Sequence, residues 1–360
     1  MAYVRDTYLG TSAHYNDIYP VIDCSVGSSQ WGVSPKAFMA HAKHDVTAQA
    51  AYPDLFYNES LKPALLDRYK VEGLGLEHLF LGHGSFNLAE RLIHKLIKPE
   101  VMLGIGPQFN EIPSEFVAAG GQYVPVPIEA PEYLFPLKML QAKMGSGISL
   151  LYVDNPNNPL GRHVDIAEIA MLVDIAQKYG VIVLVDEAYG DFVDDQQSAI
   201  HLVSRFQNLA VLRSFSKGLG LAAARIGYLF LSSELAHYYR PLDVPFEPSL
   251  TSAELACATL SDHEFIERTR ATVLLTKRRL TPQFEASGLT VLPTHPTTSI
   301  LTLNANGKNI VEMFASISVA VEPGSAFQKT HPAWDDSYCR LRLPREDDLL
   351  NLERRLRLLT

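Results

Sequence analysis

Residues 148–189 read ISLLYVDNPNNPLGRHVDIAEIAMLVDIAQKYGVIVLVDEAY. The apolar run Ile148–Val153 stops at NPNNPLG, whose asparagines and prolines make a turn in any protein. DIAEIAMLVDIAQKYG follows, with Ile166, Ile169, Ala170, Val173 and Ala176 spaced for one face of a helix. Asp165 and Glu168 resemble a capping box, and Gly180 stands where a helix stops. VIVLVDEAY then runs without polar alternation, so both faces of this strand are expected to be buried. Strand, helix and buried strand form a βαβ unit.

The same grammar extends in both directions. LFLG (79–82), VMLGI (101–105), Leu209–Arg213 and Gly227–Leu231 are further short strands between helical stretches. The fold class expected is α/β: a three-layer αβα large domain around a mainly parallel mixed sheet. After about residue 240, helical segments give way to strands near 289–303 and 338–343, which reads as a smaller α+β C-terminal domain. The expected division is 48–240 for the large domain and 241–360 for the small one. Residues 1–47 are expected to contribute to the substrate site and to a dimer or the small domain.

Composition narrows the function. Net charge is −9, from 31 basic and 40 acidic side chains, which disfavours nucleic acid or an anionic membrane as partner. Cys24, Cys257 and Cys339 form no CxxC pair, as expected of buried thiols in a reducing, cytoplasmic setting. The first twenty residues lack the apolar core of a signal peptide, and no run of about 18 apolar residues exists to span a bilayer. There is no HExxH or HxH spacing for a metal, no GxSxG elbow, and GLG (218–220) lacks dinucleotide-fingerprint spacing.

Parallel sheets bind ligands beyond the carboxyl ends of their strands. GHGSFN (82–87), GPQFNE (106–111), DNPNNPLGR (154–162), DEAYGDF (186–192) and SFSK (214–217) all follow apolar runs and are expected to converge there. Lys217 is followed by small and apolar residues; desolvation makes such an amine nucleophilic and able to form a Schiff base with an aldehyde. The cofactor that uses this chemistry is pyridoxal phosphate. Asp186 ends a buried strand, where a carboxylate calls for a cationic partner such as a protonated pyridine nitrogen. Ser85, Ser214 and Ser216 lie in loops suited to phosphate, Gly84–Ser85 precedes a helix whose N-terminus favours an anion, and Arg225 adds a charge.

Taken together, SFSKGLGLAAARIGY (214–228), NNPLG (157–161), DEAYGDF and PGSAF (323–327) resemble the motifs of fold-type I pyridoxal-phosphate enzymes, the class I/II aminotransferases. Their order follows the short-chain branch that includes histidinol-phosphate aminotransferase and threonine-phosphate decarboxylase. The resemblance implies that Lys217 holds the cofactor and moves a proton, and that Asp186 pairs with the pyridine nitrogen. It implies that Asn158 and Tyr189 hydrogen-bond the ring's phenolic oxygen and that Phe109 stacks on the ring. Ser85, Phe86 (through its backbone), Ser214, Ser216 and Arg225 would hold the phosphate. Tyr52 would reach the phosphate of a neighbouring subunit in a homodimer. Arg340 would bind the substrate carboxylate, with Arg342 two residues on and on the same strand face.

The expected reaction is transamination between an amino acid and a 2-oxo acid or related carbonyl. A decarboxylase, or a specialised lyase or oxidase using the same cofactor, is the alternative, because substrate pose decides which bond breaks. A regulator carrying this fold behind a DNA-binding helix-turn-helix is disfavoured by the short N-terminus and the charge. Leucine stands for the usual threonine in NNPLG, and Gln30–Trp31 stand where relatives carry Asn-Pro, which leaves the substrate open. No role is expected for His83, and His331 is expected to face solvent.

Overall fold

The computed structural model describes residues 19–27 and 29–359. Its centre is a seven-stranded sheet: β1 (Leu79–Gly82), β2 (Val101–Gly106), β3 (Gln122–Pro127), β4 (Ile148–Asp154), β5 (Ile182–Asp186), β6 (Leu209–Ser214) and β7 (Gly227–Leu231). The spatial order is β1-β7-β6-β5-β4-β2-β3. Neighbours among β2 to β6 run parallel, and β7 is antiparallel to both β6 and β1. The reversal at β7 matters for the site. It brings the residues just before β7 to the edge where the parallel strands end.

Alternation along the strands builds three layers. Leu81, Leu103, Leu151, Val153, Val183, Val185, Val211 and Phe230 share one buried cluster with helix Ile166–Lys178. That helix buries Ile169, Leu172, Val173 and Ala176, an i, i+3, i+4, i+7 stripe; Asp165 caps it through Ala167 N, and Gly180 follows at φ +70°. Phe80, Met102, Leu150, Tyr152, Leu184, Leu212 and Leu229 pack on the opposite face with helix Ser85–Lys95. Both faces of β5 are buried, as its unbroken apolar run foretold. The edge strand β3, absent from the sequence reading, carries Pro125 and Pro127, and its first four residues alternate exposed and half-buried, which suits a sheet edge.

A four-stranded antiparallel sheet follows, in the order Glu322–Pro323, Tyr338–Arg342, Ile300–Asn304, Thr290–Val291. Helices His263–Ala286, Ile310–Ser316 and Glu346–Leu356 cover it around a separate core that includes Val273, Phe284, Leu303, Phe314 and Leu352. The N-terminal segment joins here: Ile22–Asp23 pairs in parallel with Val319–Ala320, and Arg342 N donates to Cys24 O (2.8 Å). Helix Leu250–Leu260 instead buries Ala253 and Ala256 in the large-sheet core. Among the described residues no helix is long and apolar enough to cross a membrane.

Candidate active site

Six strands end at one edge, five of them at Gly82, Gly106, Asp154, Asp186 and Ser214. Counting back by twos from these residues reaches Phe80, Met102, Tyr152, Leu184 and Leu212, all on the face of helix Ser85–Lys95. The five polar clusters therefore open on one side of the sheet edge.

Asp186 is 5% exposed, and its carboxylate accepts from Ala188 N (3.0 Å) and Tyr152 Oη (3.2 Å). Burial pushes its carboxyl up to about 6, against those two donors and the nearby charge of Lys217. Lys217 follows from the lysine loop. Phe215 and Leu219 on either side are fully buried in the large-sheet core, which turns the lysine the other way. Its Nζ donates to Gly27 O (2.7 Å) and lies 5.5 Å from the Tyr189 ring centre. Burial lowers the Lys217 amine to about 8, helped by Arg340, Arg225 and Arg342 and opposed by Asp186. A lysine so placed is a ready nucleophile near neutral pH. Burial also raises the Tyr189 hydroxyl, against the pull of Arg340 and Arg342.

Asn158 is set by its own loop. Asn155 Oδ1 accepts from Val164 N (2.8 Å), Asn157 Oδ1 from Leu160 N (3.0 Å), and Gly161 takes φ +67°. These bonds present the Asn158 side chain to Arg340, whose Nη1 donates to Asn158 Oδ1 (3.0 Å). Arg340 Nη2 also donates to Ser25 O and lies 3.5 Å from Glu322 Oε2, while Arg340 Nε is buried without a hydrogen-bond partner. Arg342 donates to Gln30 Oε1 and Asp23 O. Gln30, the residue in place of the usual asparagine, thus meets the second arginine.

The remaining residues line the other rim. Ser214 Oγ accepts from Ser216 N (3.1 Å). Gly84 (φ +92°) precedes helix Ser85–Lys95, with Ser85 and Phe86 in its first turn. A Cβ on Gly84 would lie 2.8 Å from Arg225 Nη2, so only glycine leaves this cradle open. Arg225 itself is exposed, at φ +51°, two residues before β7. Phe109 N donates to Asp154 Oδ2 (3.1 Å). Tyr52 stands apart from these groups: it is 83% exposed and stacks on Phe246 with ring centres 4.5 Å apart.

Two participants escaped the sequence reading. Gly27 holds Lys217, and a Cβ there would sit 2.7 Å from Tyr189 Oη and 2.9 Å from Lys217 Nζ; nothing in VGSS advertises that. Asp154 ends a buried strand as Asp186 does, so the signal was present and was absorbed into the turn motif. His331 corrects an expectation. It is half-buried, with Nδ1 enclosed, because its loop folds onto the end of β2, where Thr330 Oγ1 accepts from Gln108 N (3.2 Å). His83 is exposed, 3.7 Å from Glu247.

Comparison with known proteins gives the family and the fold. A histidinol-phosphate aminotransferase of Shouchella clausii is 28% identical over 310 residues, 85% of this chain and 82% of that protein. An aromatic amino acid aminotransferase of Mycobacterium tuberculosis is 28% identical over 264 residues, 72% and 74% of the two chains. The crystal structure of histidinol-phosphate aminotransferase from Sinorhizobium meliloti, in complex with pyridoxal-5'-phosphate, superposes with a TM-score of 0.80 over 95% of this chain and 92% of that one, at 22% identity, and so shares the fold. The sequence profile of the family "Aminotransferase class I and II" spans residues 20–344, and the chain belongs to that family.

Proposed function

We propose that this aminotransferase moves an amino group between an amino acid and a 2-oxo acid or related carbonyl, in the manner of histidinol-phosphate aminotransferase, with Lys217 as the working base. Pyridoxal phosphate is its cofactor. The observation that carries the reading is the pairing of a desolvated amine, Lys217, with a buried carboxylate, Asp186, in one site beneath Arg340.

The residues present fit the cofactor. Among the described residues, the buried acid Asp186 has no arginine or lysine in hydrogen-bond contact, which suits a protonated ring nitrogen. The side-chain-free cradle at Gly84 against Arg225 suits a phosphate, with Ser85, Phe86 N, Ser214 and Ser216 around it. When bound, the group supplies an aldehyde for Lys217 and an electron-poor ring that accepts the electron pair left at the substrate α-carbon.

Each step on the protein's side belongs to a named atom. Lys217 Nζ would meet the cofactor's aldehyde as the free amine, with loss of water, and would carry the proton from and to the substrate α-carbon. Asp186 would pair with the protonated ring nitrogen. Asn158 and Tyr189 would donate to the phenolic oxygen, and Phe109 would cover a ring face. Arg340 grips the substrate carboxylate, oriented by Asn158 Oδ1, while Arg342 braces the N-terminal segment beside it through Gln30. In this reading residues 48–240 hold the cofactor; residues 241–360 and the N-terminal segment form the substrate wall.

The same reading makes the protein a homodimer with shared sites, cytoplasmic in setting. Tyr52 lies outside its own subunit's site, and Val33, Phe38, Met39 and Val46 on the same stretch are exposed, which supports a partner there. Three free cysteines support a reducing compartment.

The test is a half-reaction panel. The pyridoxal-phosphate-loaded protein is mixed with histidinol phosphate and with aromatic, acidic and aliphatic amino acids, and the absorbance of the lysine-bound cofactor is followed. Conversion to the amine form with at least one donor is expected. Release of carbon dioxide without conversion would assign the decarboxylase chemistry instead.

A further inference from the structure

We infer that Asp154 is a positioning residue of the cofactor site: its carboxylate clamps the loop that carries Phe109 to the loop that carries Asn158. The inference rests on the pyridoxal-phosphate reading above and adds a residue to it.

The geometry is specific. Asp154 ends β4 and is the register partner of Asp186 on β5, so the two side chains leave the same face of the sheet side by side. Asp154 is 3% exposed. One carboxylate oxygen, Oδ2, accepts from the backbone N–H of both Phe109 (3.1 Å) and Asn158 (2.9 Å). The other, Oδ1, accepts from Asn157 Nδ2 (2.9 Å), which also donates to Pro107 O (3.0 Å). All three donors come from the loops after β2 and β4, and two belong to the residues that would meet opposite parts of the ring.

A buried carboxylate is costly, and two on adjacent strands more so. Burial and the neighbouring Asp186 charge push Asp154 up to about 7, while its three hydrogen bonds pull the other way. A neutral turn residue would avoid that cost. What the carboxylate provides in return is an acceptor strong enough to hold two backbone N–H groups from separate loops on one oxygen. Loss of the clamp frees Phe109 and Asn158 to move independently, so the ring loses both its cover and a fixed partner for the phenolic oxygen.

The experiment compares wild type with Asp154→Ala and Asp154→Asn. The readouts are the dissociation constant for pyridoxal phosphate, the position of the lysine-bound absorbance band, and amide exchange in peptides covering 107–110 and 155–160. Asp154→Ala is expected to weaken cofactor binding at least about tenfold, shift the band, and speed exchange in both peptides. Asp154→Asn keeps the volume and one acceptor oxygen, and is expected to weaken binding about threefold with a band shift in the same direction. It carries the test should the alanine variant not fold. Wild-type binding, band and exchange in either folded variant would overturn the inference, as would a fall in melting temperature with the binding constant and band unmoved. A wild-type protein that forms no lysine-bound band with pyridoxal phosphate refutes the cofactor reading instead, so the two failures are distinguishable.

Discussion

Asp186 and Glu187 are consecutive residues, both buried, and they face different environments. Glu187 accepts from Arg213 Nη1 (3.0 Å), Ser198 Oγ (2.6 Å) and Ala199 N (2.6 Å). Arg213 also donates to Asp191 (2.9 Å), which receives Arg68 (2.9 Å), and Arg68 continues to Asp195 (2.9 Å). This is a closed ionic lattice. Asp186 has a tyrosine hydroxyl and one backbone N–H, and the cation it senses, Lys217, is bonded to Gly27 O instead. Burial lifts both carboxyls, but among the described residues only Glu187 has an arginine in contact to oppose it. A buried charge with its counter-ion in place is architecture. A buried charge without one is waiting for a ligand.

The contrast can be broken by substitution. Lys217→Ala should abolish the lysine-bound absorbance band and reduce the half-reaction by at least about 10³-fold, with the fold intact by circular dichroism. Arg213→Met should strip the lattice of its central cation, leaving Glu187 without an arginine and Asp191 with Arg68 alone. A loss of about 3–5 kcal/mol in denaturant unfolding is expected, with the cofactor band of the folded fraction unchanged. Asp186→Asn should do the reverse: a half-reaction about 10²-fold slower, and apo-protein stability equal to wild type or higher. Equal stability losses in the two variants would dissolve the distinction.

Proton linkage sharpens the same comparison. In the apo-protein Asp186 titrates near 6 and Asp154 near 7, both above the ordinary 3.8. Between these values the folded state keeps protons that the unfolded chain has released. Stability is therefore fully present below about pH 4 for these two groups and is lost as pH rises towards 7, by about 3 kcal/mol for Asp186 alone. Asp186→Asn should remove that share of the slope. Lys217 moves the other way: with its amine lowered to about 8, the rate of cofactor capture by apo-protein should climb around pH 8 rather than near 10.5. The smallest effect is expected at Gly27. Gly27→Ala places a methyl against Tyr189 Oη and Lys217 Nζ, and should slow the half-reaction about tenfold with stability changed by less than about 1 kcal/mol.

Much of the large sheet was legible because buried parallel strands are short, apolar and bounded by turns. The floor of the candidate site was legible for the same reason: Asp186 ends an apolar run directly, and Asn158 and Lys217 lie in short turns that begin where apolar runs stop. The lattice behind the site was not. Arg68, Asp191, Arg213 and Asp195 are scattered along the sequence, and only packing brings their side chains together. Gly27 was hidden because its contribution is a carbonyl and the lack of a side chain. The strand Gln122–Pro127 was hidden because two prolines argue against a strand until it is known to lie at an edge.

Lys62, Lys217 and Lys277 are enclosed lysines among the described residues, and the last two offer a direct decision. Lys277 Nζ donates to Thr294 Oγ1 (2.9 Å), His295 O (2.7 Å) and Thr298 Oγ1 (3.0 Å), which occupies all three of its protons. Borohydride reduction of the pyridoxal-phosphate-loaded protein, followed by peptide mass spectrometry, fixes the cofactor to whichever amine carries it. The label is expected on the peptide containing Lys217 at close to one per chain. A label on Lys277, or spread over surface lysines with Lys217 unmodified, would contradict the assignment of Lys217 and Asp186 as the working pair.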